Sequence, residues 1–235
     1  MVEHSRYRQK RRTPITVAEF KTITDVIEAK SEAFRVDKVA QTSLVAVLYY
    51  GGLRIAEVVG DSGRRWKVLT EKGLALKNST AGLPDNWMED PELWKFKRRG
   101  ELRGIVKEDI ELEKDTLYIT SDPLKHGHRE EPLELSLAWP RVADIGRQWY
   151  HATPGGRVWS MSQTTARTIL KGAVETLYPH AFRASLASNM ARDPNMSVSD
   201  LMGWFGWARS STADAYIMAQ RSRVKARESI GKMVS

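Results

Sequence analysis

His180 and Arg183 stand three residues apart in the segment HAFR, and Trp207 stands nine residues before Tyr216. If these segments are helical, His180 and Arg183 share a face, because positions i and i+3 are neighbours on a helix. A phosphate fits between two such donors, and a tyrosine brought beside it can attack the phosphorus. Phosphodiester transfer without a metal needs a nucleophile, cationic clamps on the nonbridging oxygens and an acid for the leaving oxygen. Tyr216 is the candidate nucleophile; its phenol, with an ordinary pKa near ~10, loses its proton as it attacks. Arg54 and Arg183 are candidate clamps, each with a planar fork of donors. His180 can donate a hydrogen bond or manage the tyrosine's proton. Lys125 is the candidate acid for the departing 5′ oxygen. Trp207 either donates its indole N–H to a phosphate oxygen or packs behind the site. Taken singly, each residue has a plainer reading: a packed tyrosine, a satisfied histidine, a solvated turn lysine. Their order and spacing together carry the case.

The elements that must position these groups are legible in outline. Pro14 and the pair Thr16/Glu19 predict a capped helix start, continued by Val17, Phe20, Ile23 and Ile27 at helical spacing. A second helix is expected from about Asp37 to Tyr50, broken by Gly51-Gly52, with a short helix resuming in LRIAEVVG. Arg54 lies in that apolar setting. A buried unpaired charge is costly, and Glu57 at i+3 is the natural partner. An ordinary internal ion pair is the plainer reading of the two.

Short strands are expected at 104–110, 115–120 and 130–136, with Lys125 near the tip of the hairpin between the last two. The rest reads as helix: 137–151, then a break at 153–156, then 162–177. The HAFR helix follows Pro179, Ser197/Asp200 opens another capped helix, and a last helix carries Tyr216.

The chain has 235 residues, enough for one large domain or two small ones, and a formal net charge of +8 with a pI near 9.7. That balance favours a polyanionic partner, nucleic acid before membrane. There is no cysteine, which excludes disulfides, thiolate zinc sites and cysteine nucleophiles and fits an intracellular protein. No apolar run approaches the ~20 residues of a membrane helix. H-E-x-x-H, phosphate-loop and G-x-S-x-G patterns are all missing, and no metal or other cofactor is expected. Residues 1–13 read as a basic arm. Residues 61–102 interleave basic and aromatic side chains. Arg64, Arg65, Lys95, Lys97, Arg98 and Arg99 are the candidate DNA contacts there, beside Trp66, Trp94 and Phe96. A self-packed subdomain would give the same composition.

Three segments together resemble the catalytic domain of the tyrosine recombinases, also called phage-type integrases. YYGGLRIAEVV is similar to the segment bearing that family's first catalytic arginine, here Arg54, with Glu57 as its supporting acid. HAFR matches the H-x-x-R motif, which assigns His180 and Arg183. LMGWFGWARSSTADAY is similar to the final block, which assigns Trp207 and Tyr216. Lys125 is the best match to the hairpin lysine, although its turn differs slightly in length from the usual pattern. The resemblance runs from about Thr13 to the C-terminus. It implies an α+β fold, mainly helical with a small antiparallel sheet: a catalytic domain over 14–216, interrupted by an insertion at 61–102 and followed by a tail at 217–235.

The activity implied is site-specific recombination or integration of double-stranded DNA, of the kind mobile genetic elements carry. It runs through a 3′-phosphotyrosyl intermediate without ATP. A homotetramer on DNA and a nucleoid-associated or host-cytoplasmic location are implied with it. The family often carries a separate helical clamp ahead of the catalytic domain. Here the insertion, or an accessory DNA-binding protein, is expected to serve instead. A relaxing enzyme of the type IB topoisomerase kind and a non-catalytic DNA-binding protein on the same fold are the alternatives.

Overall fold

A helix buried on every side belongs at the centre of its domain, and α2 (Lys38–Tyr50) is such a helix, with Ala40 through Tyr50 all buried. The structure, a computed structural model, describes residues 14–33, 36–61, 65–87, 89–98, 102–121, 129, 131–175 and 177–234. Asp37 starts α2 by accepting from the backbone N–H of Val39 at 2.8 Å and of Ala40 at 3.3 Å. Around it pack α1 (Val17–Ala29), α5 (Val142–His151), α6 (Gln163–Ala173) and α7 (Pro179–Met190). Phe20 of α1 stacks on Tyr49 with ring centroids 4.3 Å apart. Two buried hydroxyls of α2 find partners across the core: Thr42 donates to Asp144 at 2.8 Å, and Trp159 Nε1 donates to Ser43 Oγ at 3.0 Å.

The remaining elements are α3 (Ile55–Val59), β1 (Arg65–Leu69), α4 (Glu71–Lys77), β2 (Trp94–Arg98), β3 (Ile110–Glu113), β4 (Thr116–Ile119), β5 (Leu133–Ser136), α8 (Val198–Phe205) and α9 (Ser210–Val234). Strands β3, β4 and β5 form an antiparallel meander, with Ile110 opposite Ile119 and Ile119 opposite Leu133. Strands β1 and β2 pair separately, with Arg65 opposite Arg98 and Leu69 opposite Trp94. The described fold is thus mainly helical with small antiparallel sheets, and no described helix is long and apolar enough to cross a membrane.

Several boundaries differ from the sequence reading. The strand expected at 104–110 begins only at Ile110, because Asp109 instead closes a 3-10 turn. Its carboxylate accepts from Val106 N at 2.9 Å and from Arg103 Nη2 at 2.6 Å. Helix α5 starts at Val142 rather than 137. Pro140 disfavours helical geometry at the residue before it, and Arg141 takes a left-handed backbone with φ of 66°. Helix α6 ends at Ala173, after which Val174 is extended. The expected boundary at 217 falls inside α9, which runs unbroken through Tyr216. The stretch 61–102 is closed at its base by backbone bonds, Asp61 N to Leu102 O at 2.8 Å and Leu102 N to Asp61 O at 3.1 Å.

Candidate active site

The turn between α2 and α3 places the first arginine. Arg54 precedes the first turn of α3, and Glu57 folds back on it. One carboxylate oxygen of Glu57 accepts from Arg54 N, the other from Arg54 Nη1, both at 2.7 Å. The Glu57 side chain is wholly enclosed, while that of Arg54 keeps 27% of its surface open. The internal ion pair read from the sequence is therefore present, and its arginine still reaches the surface.

Arg183 projects from α7 and is almost fully buried. Its Nη1 donates to Gly52 O and its Nη2 to Phe205 O, each at 2.6 Å, and Nη1 stands 4.0 Å from Glu57. Gly52 has a φ of +58°, and a Cβ there would stand 2.4 Å from the Phe205 ring. Only glycine takes that close approach without strain, and its carbonyl is then aimed at Arg183. Burial pulls the Arg183 guanidinium down to about 9; Glu57 opposes that, and the charges of Arg54 and Arg129 add to it. At neutral pH the group stays charged. His180, one turn earlier on the same helix, has an exposed edge. The protein packed around its ring, followed by the charges of Arg183 and Arg54, holds its pKa below the ordinary value.

Tyr216 reaches this cluster through α8 and α9. A capping box at Ser197/Asp200 starts α8, and Gly206 ends it in the left-handed region with φ of 59°. Trp207 N then donates back to Met202 O at 3.0 Å, which fixes Trp207 against the last turn. The Trp207 ring stacks on Phe205 at 4.6 Å and on Tyr216 at 5.6 Å, with the latter planes only 9° apart. The Arg183 guanidinium lies 4.9 Å from the Phe205 ring centre and 5.6 Å from that of Trp207. Of the two roles read for Trp207, packing behind the site fits this stack. Burial raises the pKa of the Tyr216 phenol, and the Arg183 charge partly offsets that.

Sequence reasoning missed Arg129. This side chain sits just before β5 and is 8% exposed. Its Nε donates to Trp204 O at 2.8 Å and its Nη1 to Ser121 Oγ at 2.5 Å. Its Nη2 is buried without a hydrogen-bond partner. Burial lowers its pKa, with Glu57 opposing and Arg54 adding to the shift. No spacing signal separates Arg129 from the polar run around it, since its partner Trp204 is 75 residues away.

Arg54 and Arg183 therefore meet at the enclosed Glu57 carboxylate, while Arg129 is held by Trp204 and Ser121. Arg54, His180 and Arg183 line a cleft of about 420 Å³ together with Lys171, Arg167 and Tyr178. Tyr216 is not in the cleft lining; it stacks on the Trp207 ring that Arg183 also faces. Lys125, Arg64, Arg99 and the arm 1–13 lie outside the described residues. Arg65, Lys97 and Arg98 are strand positions of the β1–β2 pair, and Lys95 is exposed on β2.

No protein-family model matches the chain, and no curated protein matches it. Among solved structures, a crystal structure of XerA recombinase is similar at 14% identity and a TM-score of 0.48, over 92% of this chain. This chain spans 65% of the length of that protein.

Proposed function

We propose that the protein breaks and rejoins strands of duplex DNA through Tyr216, as a site-specific recombinase. One observation supports the reading: guanidinium groups from two separate parts of the chain, Arg54 and Arg183, meet at the buried Glu57 carboxylate, and Arg183 lies over the Trp207 ring that stacks on the half-buried Tyr216. Such a cluster is held at a cost in desolvation, and a tetrahedral or in-line phosphoryl group is the anion that repays it. The Tyr216 oxygen attacks a backbone phosphorus and forms a 3′-phosphotyrosyl ester. The P–O bond to the 5′ oxygen breaks, and that oxygen takes up a proton and leaves as a free hydroxyl. Attack by a second 5′ hydroxyl returns the phenol, so the bond count is conserved and no ATP is consumed.

In this reading Arg54 and Arg183 hold the nonbridging oxygens. His180, neutral near pH 7, manages the proton of Tyr216, and Lys125 serves the leaving oxygen. Four copies on two DNA sites, and contacts from 61–102 to the flanking duplex, complete the proposal.

The test is a pool of nicked duplexes of randomised sequence, in which the short 3′ product diffuses away and traps the ester. Incubation, denaturation in SDS and peptide mapping should place a DNA adduct on Tyr216. Adducts on another residue, or none from a pool that the protein binds, would refute the proposal. Relaxation of supercoiled plasmid without joined partner strands would instead favour the relaxing-enzyme reading.

A further inference from the structure

The last turn of α8 is held by two buried arginines on adjacent carbonyls. Arg183 Nη2 donates to Phe205 O at 2.6 Å, and Arg129 Nε donates to Trp204 O at 2.8 Å. Arg183 also lines the cleft. Arg129 does not line that cleft, yet its guanidinium is buried as well. Its other bond, Nη1 to Ser121 Oγ, reaches the residue just past the end of β4. The guanidinium thus spans the root of the β4–β5 connection and the turn from which Gly206, Trp207 and α9 depart. Only a planar fork with donors on separate edges makes both bonds at once; an ammonium on a flexible stem does not.

We infer that Arg129 is a positioning residue for the nucleophile. Resting on the proposed function, the inference is that Arg129 pins the α8 turn to the end of β4. The Trp207–Tyr216 stack is thereby held at a fixed place beside Arg183. The bond runs to a backbone carbonyl two residues before Gly206, so loss of Arg129 removes one of the two arginine bonds on that turn and takes nothing from the cleft lining.

The experiment compares wild type, Arg129→Ala and Arg129→Lys for DNA affinity, adduct rate and melting temperature. Each is measured with and without methylguanidinium at about 10 mM, too dilute to denature. Both variants should bind DNA within about threefold of wild type and form adducts at least tenfold more slowly, a loss in kcat rather than KM. In Arg129→Ala the free cation should restore most of the adduct rate and of the melting temperature, while leaving wild type and Tyr216→Phe unchanged. Arg129→Lys, which fills the space but lacks the fork, should not be rescued. Adduct formation by Arg129→Ala within twofold of wild type, or a deficit that the cation leaves untouched, overturns the inference. If wild type forms no adduct on any duplex, the proposed function fails. The pin is then judged on the melting temperatures alone: rescue confined to Arg129→Ala supports it, and no rescue overturns it.

Discussion

Glu57→Gln isolates the charge at the centre of the cluster. The substitution keeps the shape and an acceptor oxygen but removes the carboxylate charge that stands 2.7 Å from Arg54 and 4.0 Å from Arg183. Removing one partner of a buried ion pair costs roughly 3–5 kcal/mol, and the surviving amide bond places this change near ~3 kcal/mol. For a chain of this size each kcal/mol moves the melting temperature by about 2–4 °C, so a drop of about 6–12 °C is expected.

The same loss leaves Arg54, Arg129 and Arg183 with less to balance them, so an added anion should bind the variant more favourably relative to its free state. Thermal melts in 0–20 mM inorganic phosphate, at ionic strength matched with chloride, should therefore show a larger upward shift for Glu57→Gln than for wild type. A drop under about 1 kcal/mol would mean that Glu57 is not the counterion. A full drop with equal phosphate response in both proteins would mean that the guanidinium groups do not form an anion site.

Tyr216→Phe should bind DNA like wild type and form no adduct, read by SDS gel with labelled duplex; persistent adducts would move the nucleophile elsewhere. Arg54→Ala and Arg183→Lys should each slow adduct formation by ~10²-fold, the scale for losing one preorganised transition-state donor, and near-normal rates would make that arginine purely structural. Because burial and the neighbouring arginines keep His180 neutral to lower pH than usual, the acid limb of kcat/KM should fall below the ordinary histidine value of ~6.5. A limb at or above that value, or one unchanged in His180→Ala, would exclude His180 as its source. Neutralising Lys95, Lys97, Arg98 and Arg99 together should weaken duplex binding and flatten its salt dependence, whereas an unchanged salt slope would leave β1–β2 without a DNA role.

What the sequence made legible is what short-range chemistry encodes. The caps Thr16/Glu19 and Ser197/Asp200 form as expected, because each needs only donors within three residues. Arg54 and Glu57 pair as read, again three residues apart. The misplaced strand at 104–110 is a local competition: Val106 and Ile110 fit a strand pattern, but the Asp109 carboxylate captures Val106 N and turns the chain first. Arg129 was invisible for the opposite reason. Its partners Ser121 and Trp204 meet only once β4 and α8 have packed, and a buried arginine in a polar run has the same local pattern as a solvated one.

The bond from Arg183 to Gly52 O ties the turn that bears Arg54 to α7, and the bond to Phe205 O ties α7 to the turn that precedes Trp207. A group that enters the cleft and draws on the remaining Arg183 donors therefore acts on a side chain already shared by both turns. Phe205 meets Gly52 at a spacing that excludes any side chain there, so the two turns cannot separate without opening that contact. Since Trp207 is hydrogen-bonded to Met202 and stacked on Phe205, displacement of the α8 end carries the Tyr216 ring with it. Cleft occupancy and the position of Tyr216 are thus linked through one packed turn, and under the proposed function substitutions at Gly52 should disturb adduct formation although the residue carries no reactive group.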